Sequence, residues 1–249
     1  MDLMDSGIIF NGLVIAVFAG VQSIFGMGVL VYGTPTFLLL GYGFPETLGI
    51  LLPSSFAISL AQVALHRGPR PAISKALFAI SVPMIGISLF VTISSDLARH
   101  AYVLIAVALL ISAAARIFPA VRKMLRAFIV RNLKAYHFVM GVFHGVTNMG
   151  GALLAVMAAT IHNDKVNARY VVAVYYMTFV VIQFLVLLFT IDGQYLLNGL
   201  IYMPVSLVVY FVFGTRLFRG IDNAVFQAGM TGFLVLYAVV LLAKWLRVY

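Results

Sequence analysis

Apolar residues in this chain run together in long stretches, and polar ones gather into short marks between them. The acidic residues Asp2, Asp5, Glu46, Asp96, Asp164, Asp192 and Asp222 all sit at the ends of apolar stretches. The bases do the same, in clusters from Arg67 to Lys75, Arg116 to Lys134, Lys165 to Arg169, Arg216 to Arg219 and Lys244 to Arg247, with Arg99 alone. Between these marks lie segments 7–41, 45–66, 72–94, 97–118, 136–161, 167–190, 195–214 and 223–246. A helix of about 20 apolar residues crosses a bilayer and satisfies its own backbone there, whereas the alternation a membrane barrel needs is absent. The pattern predicts an all-α polytopic membrane protein of about eight apolar helical segments.

Two of the segments are punctuated. Segment 7–41 has 35 residues, too many for one crossing and slightly few for two. Its middle reads Phe25-Gly26-Met27-Gly28 and then Gly33-Thr34-Pro35, where glycine loosens a helix and proline removes a donor. Segment 136–161 carries Gly145-Val146-Thr147-Asn148-Met149-Gly150-Gly151. A shift of 122 residues lays Gly26-Met27-Gly28 over Asn148-Met149-Gly150, and each broken segment is followed by three plain apolar spans. The expected organisation is a first transmembrane repeat over 1–118, a connector over 119–135 and a second transmembrane repeat over 136–249. If both broken segments are re-entrant, 13 of the 16 bases fall on one face; if both cross fully, 11 do. The positive-inside bias favours the re-entrant form, and an odd number of crossings in each half then makes the two repeats inverted.

Composition narrows the function. Hydrophobic residues are 63% of the chain and charged ones 9%, against about 25% charged in soluble domains, and the mean hydropathy is +1.10. Such a chain is solvated by lipid, which excludes a soluble enzyme, a disordered protein and a nucleic-acid-binding module. The net charge of +9 is then a matter of topology and lipid contact. In Pro119–Ala135 the apolar Val121, Leu125, Phe128, Ile129 and Leu133 recur at helical spacing, with Arg122, Lys123, Arg126, Arg131 and Lys134 between them. That predicts a basic amphipathic connector lying on an anionic cytoplasmic leaflet. The first residues carry Asp2 and Asp5 in place of a basic n-region, so the N-terminal segment is expected to be retained. Cysteine is absent, which excludes disulfides, thiolate metal sites and cysteine nucleophiles. The sequence contains no zinc-protease, serine-hydrolase or P-loop motif and no cluster of metal ligands, so no enzyme activity, metal or cofactor is expected.

The chemistry is expected at the breaks. A helix that restarts inside a membrane presents free N–H groups and the positive end of its dipole, a seat for a small anion without formal positive charge. Two such ends, one from each repeat, would make the site, with donors from Gly26 to Val29, Gly28 among them, and from Met149 to Ala152, which include Gly150 and Gly151. Gln22, Ser23 and Thr34 flank the first break, and His144, Thr147 and Asn148 flank the second. All of these side chains can donate to an oxyanion. Against this, glycine in membrane helices often serves close packing. His144, an ionisable group well inside an apolar segment, is the proton-coupling candidate. Gln62 and Gln183 fall at nearly matching places in the two halves and lean toward bonding between helices; the pair Tyr175-Tyr176 is expected to pack.

The run Gly20-Val-Gln-Ser-Ile-Phe-Gly26-Met-Gly28, followed by Pro35 and Leu38-Leu-Leu-Gly41, resembles the opening motif of the TauE/SafE sulfite-exporter family. Gly141-Val-Phe-His-Gly145-Val-Thr-Asn-Met-Gly150-Gly151 is similar to its repeat, and the resemblance extends over essentially the whole chain. Val29 stands where a third glycine often follows in that pattern. The resemblance implies a secondary transporter in a bacterial inner membrane, carrying sulfite, thiosulfate, a sulfonate or another small organic anion. Alternatives are an anion channel and a non-transporting membrane assembly partner. The expected partners are the small anion and the membrane lipids, with a homodimer left open.

Overall fold

The computed structural model describes residues 3–95, 101–162, 164–190, 194–214, 216 and 223–248. Asp2, Asp96, Arg99, Asp192, Arg219 and Asp222 therefore lie outside the described residues, as do the side chains of Asp5, Arg116, Lys165 and Arg247. Every regular element among the described residues is helical. In chain order they are α1 (Leu3–Phe25), α2 (Val29–Leu39), α3 (Phe44–Ala64), α4 (Val82–Ser94), α5 (Ala101–Ile117), α6 (Pro119–Arg131), α7 (Leu133–Thr147), α8 (Gly150–Ile161), α9 (Lys165–Thr190), α10 (Gln194–Leu200), α11 (Met203–Val209) and α12 (Asn223–Val248). A π turn, Leu77–Ser81, leads into α4, and another, Tyr210–Gly214, follows α11.

Five stretches are long and apolar enough to cross a membrane: Gly7–Phe25, Phe44–Ala64, Leu77–Ser94, Val166–Thr190 and Tyr195–Gly214. A sixth is reached if Val103–Ala114 and Pro119–Arg131, bent by 100°, count as one. Five of the eight expected segments thus hold a qualifying span among the described residues, and 97–118 does so only together with α6; segment 136–161 is divided, and many side chains of segment 223–246 lie outside the described residues. Segments 7–41 and 136–161 are each divided into two helices. Segment 72–94 becomes helical only at Leu77, after the Gly68-Pro69-Arg70-Pro71 run. Segment 97–118 ends in a sharp turn because Pro119 holds Phe118 in an extended conformation (φ −96°, ψ 112°). The expected connector forms a helix, α6, only as far as Arg131, with Ile129 buried and Arg122, Lys123, Arg126 and Arg131 exposed; Leu133 and Lys134 already belong to α7.

Both broken segments fold back on themselves. Asn11 Nδ2 donates to Tyr42 Oη at 2.8 Å. Asn11 lies about 21 Å of helix before the end of α1, so Tyr42, just beyond α2, reaches it only because α2 returns along α1. Tyr136 Oη donates to the Leu153 carbonyl at 2.7 Å, a pair that an unbroken helix would hold about 25 Å apart. The C-terminal part of α12 runs beside α2, where Thr36 Oγ1 and Tyr237 Oη are 2.8 Å apart and Lys244 Nζ donates to the Leu38 carbonyl at 2.9 Å.

An offset of 122 relates much of this architecture. It carries Phe25, the end of α1, onto Thr147, the end of α7; Leu39, the end of α2, onto Ile161, the end of α8; and Ala101, the start of α5, onto Asn223, the start of α12. The packing follows the same pairing: α3 lies against α9 and α5 against α12, while α4 packs on α7 as α11 packs on α1. The interior is filled by Tyr136, Tyr175, Tyr176, Phe37 and Phe179, all nearly inaccessible. The outer face exposes Leu13, Val17, Phe78, Phe90, Leu188 and Phe189, a continuous apolar supply that in water would aggregate and in lipid is solvated.

Candidate functional site

At the first break, Gly26 ends α1 in the left-handed region (φ 75°), its N–H bonded to the Gln22 carbonyl at 2.8 Å. The chain then crosses its own helix closely. A Cβ on Gly28 would meet the Phe18 carbonyl at 2.8 Å and Gln22 Cα at 2.9 Å, and one on Gly26 would meet the Arg169 carbonyl at 3.3 Å. Gln22 Oε1 accepts the Val29 N–H, the first donor of α2, at 3.1 Å. Its Nε2 donates to the Ser55 carbonyl (3.0 Å), to Ser55 Oγ (3.1 Å) and to Ser59 Oγ (3.2 Å). The carbonyl ends of α1 are covered too: Gln62 Nε2 donates to Gln22 O (3.0 Å) and Ser23 O (3.3 Å), and Arg169 donates to Ser23 O at 3.3 Å. The Ser23 hydroxyl donates back to the Ala19 carbonyl at 2.6 Å. The leading N–H of α2 and the carbonyl ends of α1 are thus taken by the protein's own groups, while Gln62 Oε1 is left without a partner.

At the second break, Asn148 takes the equivalent left-handed place (φ 58°) and bonds the His144 carbonyl at 2.7 Å. Asparagine tolerates this conformation better than other residues with a Cβ. Its side chain ties three elements together: Nδ2 donates to Thr34 Oγ1 of α2 at 2.9 Å, and Oδ1 accepts Gln183 Nε2 of α9 at 3.1 Å. Thr147 Oγ1 donates to the Phe143 carbonyl (2.6 Å) and accepts the Met149 N–H (3.1 Å). Gly150 sits on His144 as Gly28 sits on Gln22, since a Cβ there would come within 2.5 Å of His144 Cβ. Gly151 faces Tyr176, whose hydroxyl occupies the place a Cβ would need.

Here the resemblance between the breaks stops. His144 stands 122 residues after Gln22 and is wholly buried, yet neither ring nitrogen has a hydrogen-bond partner. Its ring lies between Phe179 (centroids 4.6 Å apart) and Tyr176 (6.2 Å), with the Gln183 amide alongside but not in bonding geometry. Tyr176 Oη and Gln183 Oε1 are likewise buried without a partner. As the first residues of α8, Gly150 and Gly151 have no intrahelical acceptor for their N–H groups. Leaving a buried polar group unpaired costs about 1–3 kcal/mol, so a cluster of them against a helix start is a costly arrangement that a ligand would relieve. The other unpartnered buried oxygens, Thr47 Oγ1, Ser54 Oγ and Gln62 Oε1, are spread along α3.

Of the residues expected to bind, His144, Asn148, Gly150 and Gly151 come together, with Thr34 brought in from α2 and Thr147 bracing the turn. Gln22, Ser23, Gly26 and Gly28 form the separate first break. Tyr176 and Gln183 belong to the cluster although their sequence context suggested packing and interhelix bonding; Gln183 does bond between helices, to Asn148. Their seven-residue spacing, which puts both on one face of α9, was the available signal. Gln62 likewise bonds between helices, to α1. Among the described residues no group of three or more histidines and acids is placed to hold a metal ion. Comparison of the chain with models of known families, with curated proteins and with solved structures finds no match.

Proposed function

We propose that the protein is a secondary transporter of a small sulfur-containing or organic anion, such as sulfite, a sulfonate or thiosulfate, working by alternating access. The observation that carries this is the second break, where a helix start inside the bundle faces His144 and Tyr176, both wholly buried and without a partner. Donors held ready around the positive end of a helix suit an anion. Their burial favours a transporter over a channel, because a group sealed from both faces exchanges its ligand only when the protein opens. The motif resemblance to the TauE/SafE family points the same way and suggests a bacterial inner membrane. His144, the ionisable group at this level, is the candidate for proton coupling.

The proposed topology has two inverted repeats, each led by a re-entrant pair: α1–α2 and α7–α8. The fold-back contacts at Tyr42 and Leu153 support it. Parity supports it as well. Between Leu38 and Lys244 lie six plain apolar segments, so Lys244 returns to the face where α2 ends only if segment 136–161 does not cross. The bases of α6 then lie with 13 of the 16 on the cytoplasmic side, against an anionic leaflet.

Reconstituted in proteoliposomes, the protein should take up methanesulfonate or sulfite and exchange labelled for unlabelled anion in counterflow, which a channel does not do. His144→Ala should lower the flux about tenfold or more, the loss expected for one hydrogen bond to a charged ligand. Unchanged flux in that variant, or the absence of any anion flux in the wild type, overturns the proposal.

A further inference from the structure

The two breaks share their backbone geometry and differ in their side chains, most tellingly at the matched positions 22 and 144. In the first, Gln22 reaches across the turn and takes the leading N–H of α2. In the second, the residue at the same place is His144, and it takes nothing. A glutamine carbonyl oxygen accepting that N–H does what an anion's oxygen would do, so the first seat is already filled from within. The second is lined by the Tyr176 hydroxyl, the His144 imidazole, the Gly150 and Gly151 N–H groups and the Gln183 carbonyl oxygen.

Resting on the transport reading above, we propose that each chain holds a single anion, at the α8 start, with Tyr176 and His144 as direct ligands, and that this seat selects singly charged over doubly charged anions. The charge preference follows from what the seat is made of. With the His144 ring neutral, its donors are a hydroxyl, an imidazole N–H and backbone amides, none of them charged. The penalty for bringing an ion out of water grows as the square of its charge, whereas what a fixed set of dipoles returns grows only in proportion to it. The Gln183 Oε1 lone pairs at the rim oppose a second negative charge further. This narrows the substrate class proposed above to a sulfonate or bisulfite and removes thiosulfate from it, along with sulfate and hydrogen phosphate. Admission requires α8 and α9 to part, because the Tyr176 hydroxyl now rests against Gly151.

Tyr176→Phe is the decisive variant, since the hydroxyl it removes bonds nothing in the protein and the fold keeps its packing. Titration calorimetry on detergent-solubilised full-length protein should give one methanesulfonate per chain, bound at least tenfold more tightly than sulfate at the same ionic strength. Tyr176→Phe should weaken methanesulfonate at least tenfold while leaving the unfolding temperature of the ligand-free protein unchanged or higher. Ser55→Ala, which loosens the anchor of Gln22, should lower that temperature and leave methanesulfonate affinity within twofold. Two anions per chain, equal affinity for sulfate, or a Tyr176→Phe protein that binds as the wild type does would each overturn the inference. If transport of methanesulfonate persists in that last case, the transport reading survives without this seat; if no anion binds and none is carried, both fall.

Discussion

The two helix breaks are built on one backbone plan, yet the side chain that spans the turn is fully bonded at one, Gln22, and unbonded at the other, His144. Gly26 and Asn148 are left-handed at positions 122 apart, each bonded to the carbonyl four residues before, and Gly28 and Gly150 each lie on the residue six before. At the first break the Gln22 amide spends its oxygen and nitrogen on Val29, Ser55 and Ser59. At the second, the polar groups of His144 and Tyr176 bond nothing. Shared geometry with unequal satisfaction separates two tasks. The first break is a structural joint that holds α2 against α3, and the second keeps donors in reserve. A protein built only for stability would have closed both.

The comparison depends first on both breaks being hairpins, and a test of that is all-or-none. The chain has no cysteine, so single-cysteine variants report without background. Leu40 and Leu246, exposed near the ends of α2 and α12, should react with a membrane-impermeant maleimide from the same side of intact membranes, and Arg67 and Lys123 from the other. Labelling of Leu40→Cys and Leu246→Cys from opposite sides would mean that segment 136–161 crosses fully.

Next in size are the glycines on which each turn rests. Gly28→Ala drives a methyl group into the backbone of α1, against Phe18 O and Gln22 Cα, and backbone cannot step aside. Gly150→Ala meets His144 Cβ. Each should cost about 3 kcal/mol or more, as severe overpacking does, and reduce the folded yield on size-exclusion chromatography. Gly12→Ala, whose nearest foreign atoms are those of the Tyr202 ring at 3.8 Å, should be silent and serves as the control. Comparable loss in all three would show that the close crossings are not what the breaks require.

Gln22→Ala comes after these. It strands the Val29 N–H and removes the donor shared by Ser55 and Ser59, for a loss of about 2–3 kcal/mol by the usual cost of unpaired buried groups. Thermal unfolding followed at Trp245 in detergent reads it. A negligible change would erase the contrast between a finished and an unfinished break.

What was legible in the sequence follows from which forces act locally. Charge placement marked the segment ends because a charge deep in lipid is expensive wherever it falls. Gly26-Met27-Gly28 and Asn148-Met149-Gly150 marked the breaks because only residues tolerant of positive φ turn a helix so tightly. The basic connector was visible as an amphipathic pattern and is α6. The partners of the polar side chains were not legible, because Asn148 meets Thr34 across 114 residues and Gln22 meets Ser55 across 33. The ten expected ligands looked alike as polar or small residues beside a break, and only the fold distinguishes the groups spent on the protein from those left unspent. Tyr176 was hidden for the same reason. A tyrosine in an apolar helix packs in most settings, and what sets this one apart is that its hydroxyl ends against Gly151.

The smallest effect is the most pointed, since it asks the second break to become the first. His144→Gln places at position 144 the residue that occupies position 22, over the same turn and beside the equivalent glycine. Over the same backbone turn, the new amide oxygen should accept the Gly151 N–H as Gln22 Oε1 accepts that of Val29. Met177 and Val181 stand where the first break has Ser55 and Ser59, so the new amide nitrogen turns to the unpartnered Gln183 Oε1. With both ends of the amide bonded and one unpaired imidazole removed, stability should rise by about 1 kcal/mol, seen as a higher unfolding temperature of the ligand-free protein. The anion seat would be occupied from within, and methanesulfonate affinity and flux should fall together. Stability gained with transport intact would mean that the α8 start is not where the anion rests; stability lost would mean that His144 already has a structural task that its missing hydrogen bonds conceal.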